Sequence, residues 1–336
     1  MAKNLVVGMD GTWNSVLHRT GGHSNIPALL SWVNRSGQSS TYIAGVGNGL
    51  GTFGQVLYGA LGRGVFSAAR QGWQWLHLNY EPGDQIFIFG FSRGAFAARH
   101  LASMIVRHGL KGWRGDIETE FRKWQRTVHE PPPTTQTPVH MLGLFDCVPG
   151  NQFYVMRDRS HYLNSGKLEP GILNVRHAVA IHERRWSFAP VLFERGSRND
   201  KAFDQRWFPG YHSDVGGGGS KKVANGLAAF SLWWMMREAH GLGLELNLVN
   251  CPKHYGGTNL NVIQAIDLSD PPRCSDWLST RLGLKVERES LQLAHLVGET
   301  PDFFDLDECY RCKSEMFDAL ISPEGQRRIA TLKKRS

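Results

Sequence analysis

The stretch Gly90-Phe91-Ser92-Arg93-Gly94 sets one serine between two glycines at the spacing G-x-S-x-G. A serine hydroxyl attacks an ester only when a base takes its proton and the backbone presents it at an accessible edge of the fold. A sharp strand-to-helix turn meets the second condition. Glycines two before and two after the serine remove the side chains that would collide where the chain reverses. The spacing marks Ser92 as a candidate nucleophile for acyl transfer. The competing reading is a chance match in a chain of 38 glycines, with Ser92 an ordinary helix N-cap.

The elements around the serine decide between the two. Glu81-Pro-Gly-Asp84 is a turn signal, residues 85–89 read as an apolar strand, and residues 95–106 carry apolar side chains at helical spacing. Such a helix directs the positive end of its dipole at Ser92. Further apolar runs at 5–9, 42–46, 139–145, 191–193 and 244–249 read as strands, and 55–79 and 223–239 as helices. This alternation predicts an α/β fold: a mostly parallel sheet with helices on both faces. The proline-rich stretch 130–138 reads as a surface loop, because the alternation resumes beyond it, and 150–171 shows no periodicity. We expect a catalytic domain over residues 1–270, followed over 271–336 by a helical cap or tail that can belong to the same domain.

Two other motifs invite different chemistry. Asp10-Gly11-Thr12 after the first strand is similar to the haloacid-dehalogenase phosphatases, whose nucleophilic aspartate lies two residues ahead of the D-G-T aspartate; here that position is Gly8. The glycine run that begins at Gly216 can cradle phosphate with backbone N–H groups, but the Lys-Ser/Thr pair of a P-loop is missing.

Four separated stretches, "VVGMDGTWN", "YEPGDQIFIFGFSRGAFAARHLASMI", "VRHAVAIHERRWSF" and "WFPGYHSDVGGG", occur in that order between Leu5 and about Gly243. Together they resemble the α/β-hydrolase-like domain of the type VI secretion phospholipase effectors and their uncharacterised relatives. The resemblance implies an α/β-hydrolase-like fold and a Ser-Asp-His hydrolase, with phospholipase activity on membrane lipids in the best-understood members.

In such folds the acid and then the histidine follow the serine along the chain. Asp146, at the end of "HMLGLFD", and Asp214, before the glycine run, are the candidate acids. The glycines give the chain room to turn beside Asp214, and the resemblance also places the acid in H-S-D-V-G-G, so Asp214 is preferred. A histidine beyond the helix 223–239 points to His254 in "CPKHYGGT", with His240 and His295 as rivals and His212 as a pocket residue. The resembling family often carries a serine two residues after this histidine, where this chain has Gly256. The oxyanion of the tetrahedral intermediate needs two N–H donors. Arg93 supplies one by position, and Gly11 or Thr12 after the first strand the other.

Composition limits the alternatives. A chain of 336 residues, 41% hydrophobic, has ample material for a buried core. Lys plus Arg number 38 against 30 Asp plus Glu, a net charge of +8 that favours anionic partners such as a membrane surface. No nucleic-acid-reading motif accompanies the charge, so no nucleic-acid partner is expected. Trp13, Phe91, Trp186 and Trp207 favour an acyl or lipid substrate. The five cysteines form no disulfide framework, and Cys309-Tyr-Arg-Cys312 lacks an obvious second pair for zinc, so no metal or cofactor is expected. The start reaches Asp10 too early for a classical export signal, and residues 224–236 are too short an apolar run to span a bilayer. A cytoplasmic protein, or one delivered by a signal-less route, is expected. A small-molecule carboxylesterase and a non-catalytic lipid- or partner-binding module are the alternatives to a phospholipase.

Overall fold

The computed structural model describes residues 2–11, 24–45, 61–110, 119, 137–149, 168–180, 183, 188–193, 202–208, 211–218, 226–246 and 302–303. Among the described residues seven strands, all paired in parallel, form one sheet: β1 (Asn4–Met9), β2 (Gln38–Ile43), β3 (Gln85–Phe91), β4 (Val139–Phe145), β5 (Ile172–Ala180), β6 (Phe203–Phe208) and β7 (Asp302–Phe303). Their order is β2-β1-β3-β4-β5-β6-β7. The helices are α1 (Asn25–Trp32), α2 (Leu61–Asn79), α3 (Arg93–His108), α4 (His212–Gly216) and α5 (Gly226–Gly241). The fold is α/β-hydrolase-like.

The central strands are apolar on both faces because both are covered. Along β1 and β3 the side chains alternate: Leu5, Val7, Met9, Ile86 and Ile88 join one core with Trp73 and Leu76 of α2 and Phe96 and Leu101 of α3. Val6, Phe87 and Phe89 face the other way, onto Ile26 and Leu29 of α1 and Leu232 and Met235 of α5. Full burial of each large apolar side chain stabilises the fold by about 1.5–3 kcal/mol. The chain runs outward from β1 to β2 and returns across β1 to β3. The winding therefore reverses between β1 and β3, and open α/β sheets bind ligands outside the carboxyl ends of the strands at such a point.

A buried ion pair ties the approach to β5 onto α3. Glu169 Oε1 accepts from Arg107 Nε at 2.8 Å and from the Ser103 hydroxyl at 2.7 Å. Burial pushes the Glu169 carboxyl above its ordinary range, opposed by the bonds from Arg107 and Ser103.

Several expectations meet the structure directly. Strands appear at 4–9, 85–91 and 139–145, and the helices anticipated at 95–106 and 223–239 appear as α3 and α5. The run at 42–46 pairs earlier, as Gln38–Ile43. Residues 191–193 form no strand; Val191 N–H instead donates to Cys147 O, and the Phe193 backbone bonds the Gln205 side chain. In the run at 244–249 the described part makes one antiparallel bridge, Leu246 to Val33. β5 and β6 lie where no strand was expected. Of residues 271–336, Asp302–Phe303 pair with Arg206–Trp207 of β6, extending the sheet. Among the described residues no helix is long and apolar enough to cross a membrane.

Candidate active site

Ser92 stands between β3 and α3 with φ 58° and ψ −125°, the N-cap of α3 with no side-chain cap bond. Its N–H donates to Phe145 O at 3.0 Å, and its carbonyl accepts from Ala95, Phe96 and Val148. The elbow glycines have separate jobs. A Cβ on Gly90 would sit 2.5 Å from Ala95 Cα, and one on Gly94 would overlap the carbonyl oxygens of Met9 and Asp10. Gly90 lets the helix fold back on its own strand, and Gly94 lets that helix start against the end of β1.

One further non-glycine residue has positive φ among the described residues, Asp146 at 40°. Backbone strain of this kind costs on the order of 1–3 kcal/mol and gathers at functional sites. Asp146 ends β4 and is fully buried. Its N–H donates to Ala178 O at 2.7 Å, and its Oδ1 accepts from Ala180 N–H at 3.0 Å. Its Oδ2 lies 2.6 Å from Nδ1 of His212, the first residue of α4. A carboxylate accepts here, so Nδ1 carries the proton and Nε2 is the basic nitrogen of the neutral ring.

His212 is held on all sides. Its N–H donates to Oε2 of buried Glu183 at 3.3 Å, and the rings of Phe91 and Phe188 each lie 4.7 Å from the imidazole. Phe91 is the residue before Ser92. Gly216 has no side chain because a Cβ would fall inside the Phe91 ring. Gly217 and Gly218 follow at φ 77° and 83°. The glycine run thus seats α4 on the elbow.

The preferred acid of the sequence analysis has another task. Asp214 Oδ2 accepts from Tyr211 N–H at 2.8 Å, completing a capping box on α4. Burial raises its carboxyl above the ordinary range; the Tyr211 bond opposes this and the Glu183 charge adds to it. Thr12, Trp13, Trp186, His254 and His295 lie outside the described residues, as do Cys251, Cys274, Cys309 and Cys312. His240 closes the end of α5 through Leu244 O at 3.1 Å. Trp207 is buried in a small core with Val179 and Leu192.

The candidate oxyanion donors also separate. The Arg93 N–H stands in the first turn of α3 beside the serine, whereas the Gly11 N–H donates to Asp10 Oδ1 at 2.7 Å. Asp10 is gathered in turn by the hydroxyls of Ser24 and Tyr42, each 2.8 Å away. Gly11 contributes closeness instead: a Cβ there would lie 2.9 Å from Ser92 Cβ.

Behind Asp146, Cys147 N–H donates to His177 Nε2 at 3.1 Å, and His177 Nδ1 donates to Gln205 Oε1 at 2.7 Å. Burial pushes the Cys147 thiol up to about 12 against the opposing Arg99 charge, so it is no nucleophile at neutral pH. Among the described residues no group of three His, Cys, Asp or Glu side chains is arranged to hold a metal ion.

Sequence reasoning weighed Asp146 and His212 but did not pair them, and it passed over Glu183, Phe188 and the Asp10–Ser24–Tyr42 cluster. Asp146 at a strand end was the available signal; the others come from contacts between distant segments.

The model of a family described as type VI secretion system (T6SS) phospholipase effector Tle1-like, catalytic domain, matches residues 3–238. An uncharacterised protein of Saccharomyces cerevisiae, YEL023C, is 36% identical over 135 residues, 34% of this chain and 19% of its own length. The chain thus spans under a fifth of that relative. Among solved structures, an uncharacterised Pseudomonas aeruginosa protein matches 73% of this chain and 46% of its own at 18% identity and a TM-score of 0.47. A Tle1 effector solved bound to the VgrG spike of a type 6 secretion system matches 65% of this chain and 52% of its own at 22% identity, TM-score 0.38.

Proposed function

Since the chain belongs to the Tle1-like phospholipase effector catalytic family, we propose that it is a serine hydrolase of membrane phospholipids in which Ser92, His212 and Asp146 form the triad. The observation that carries this assignment is the 2.6 Å bond between buried Asp146, which follows β4, and Nδ1 of His212, the first residue of α4, whose ring lies against Phe91 of the elbow. The three residues also follow one another in the order serine, acid, histidine. His212 Nε2 takes the Ser92 proton as the oxygen attacks the acyl carbonyl. The Arg93 N–H donates to the developing oxyanion. Collapse expels the alcohol, which receives the proton from His212, and water then releases the fatty acid from the acyl-serine by the same steps. Asp146 fixes the imidazole and stabilises its cation without itself becoming protonated. Delivery through a type VI route belongs to the same reading and rests on family membership.

The test is hydrolysis of a phospholipid panel, with product masses, alongside fluorophosphonate labelling. Ser92→Ala is expected to lose both in a folded protein. His212→Ala is expected to lose at least about a thousandfold in turnover, with His254→Ala much less affected. A folded Ser92→Ala protein that still hydrolyses lipid would sink the reading. A dead His254→Ala beside an active His212→Ala would move the base.

A further inference from the structure

Among the described residues, the Arg93 guanidinium beside Ser92 has no counter-charge. Arg99 bonds Val191 O and lies over the Phe193 ring, Arg107 pairs with Glu169, Arg176 and Arg237 with Glu238, and Arg206 with Asp204. Arg35 is exposed to water. Arg93 is partly withdrawn from water, and among the described residues it makes no hydrogen bond, ion pair or ring contact. The nearby carboxylates are engaged elsewhere: Asp146 with His212 and Ala180, Asp10 with Gly11, Ser24 and Tyr42, and Asp214 with Tyr211. Burial alone lowers the Arg93 pKa to about 10, which leaves it charged at neutral pH. A cation drawn from water without a partner is costly unless an anion arrives to meet it.

We propose that the Arg93 side chain receives the phosphate of a glycerophospholipid while Ser92 attacks an acyl ester of the same molecule. This rests on the serine-hydrolase reading above. The glycerol unit carries its phosphate only a few bonds from either acyl ester, so an anion reaches the elbow with every substrate molecule. The planar guanidinium presents paired N–H donors that match two phosphate oxygens. The positive end of the 16-residue helix α3 adds to the attraction. The subsite reads the phosphodiester and not the group beyond it. It therefore favours phosphatidylcholine and phosphatidylglycerol alike over a neutral diacylglycerol.

The experiment measures kcat/KM of the full chain on soluble dioctanoylphosphatidylcholine and on dioctanoylglycerol, taking the ratio for wild type, Arg93→Gln and Arg93→Lys. Fluorophosphonate labelling reports whether Ser92 is intact in each. The ratio is expected to fall by about tenfold or more in Arg93→Gln, and by less in Arg93→Lys, which keeps a charge but loses the fork. With dioctanoylglycerol as substrate, sn-glycerol 3-phosphate is expected to inhibit the wild type competitively and Arg93→Gln several-fold less. Inorganic phosphate inhibiting as well as the glycerol ester, with an unchanged lipid ratio, would make this a free-phosphate site and overturn the proposal. An unchanged ratio in labelled variants overturns it too. If Arg93→Gln fails to label, Arg93→Lys decides: a ratio equal to wild type overturns the proposal. A wild type that labels but cleaves neither lipid removes the phospholipase reading itself, a different result from a wild type whose activity ignores residue 93.

Discussion

At the scale of single residues, Asp146 and Asp214 separate by what their oxygens already hold. Asp146 bonds the imidazole, and Asp214 bonds the backbone of its own helix. Asp146→Asn would let the imidazole tautomer invert, and a loss of about a thousandfold or more in kcat is expected. Asp214→Asn keeps an acceptor for Tyr211 N–H, and a loss under about tenfold is expected. Steady-state kinetics of the two purified variants, each checked for an unchanged circular dichroism spectrum, compares them; equal losses would reject the assignment. The serine was legible because a strained turn needs glycine at fixed offsets, a strictly local demand. The Asp146–His212 pair was not, because the two residues lie 66 positions apart and meet only once β4 and the short helix α4 are brought together by the fold. The glycine run drew attention to Asp214, yet its role is to fit α4 over Phe91.

At the scale of elements, the elbow depends on β1 and α3 touching at backbone distance. Gly94→Ala sets a methyl against the Met9 and Asp10 carbonyls, neither of which can turn aside. Overpacking of this kind costs about 1–3 kcal/mol, and a melting midpoint lower by a few degrees is expected. Gly241→Ala, where a Cβ meets nothing within 4 Å, is the control and should melt within about a degree of wild type. Equal midpoints for the two variants would count against the close approach. β1, β3 and β4 were legible as near-continuous apolar runs. β5 and β6 were not, since "ILNVRHAVA" and "FDQRWF" carry Asn174, Arg176, His177, Asp204, Gln205 and Arg206. Those polar groups find partners across the fold: Arg176 on Glu238, His177 on Gln205, Asn174 on His140 O. Such pairing overrides composition, and no periodicity rule sees it.

At the scale of the whole molecule, the sheet and its two helical layers followed from the alternation of apolar runs. The place of Asp302–Phe303 at the edge of the sheet did not, because two residues of strand carry no periodicity of their own. On the phospholipase reading, the +8 charge bears on how the protein meets a bilayer. Binding to vesicles containing phosphatidylglycerol is expected to exceed binding to pure phosphatidylcholine vesicles and to weaken as salt shortens the screening length. Sedimentation of the Ser92→Ala protein with both vesicle types measures this without turnover. Equal, salt-independent binding to both would show that surface charge plays no part.

The Phe91 ring lies against the His212 imidazole, under Gly216, and belongs to the residue that precedes the nucleophile in the chain. In the proposed triad, one aromatic ring thus connects the two groups that exchange a proton. A displacement of the turn would carry the ring with it, and the ring packs on the imidazole, so their common position is expected to change more than their separation. Proton transfer tolerates little error in donor–acceptor spacing, and positioning of this kind holds reacting groups to within about half an ångström. In the proposed triad, this phenylalanine would act as a mechanical linkage between nucleophile and base.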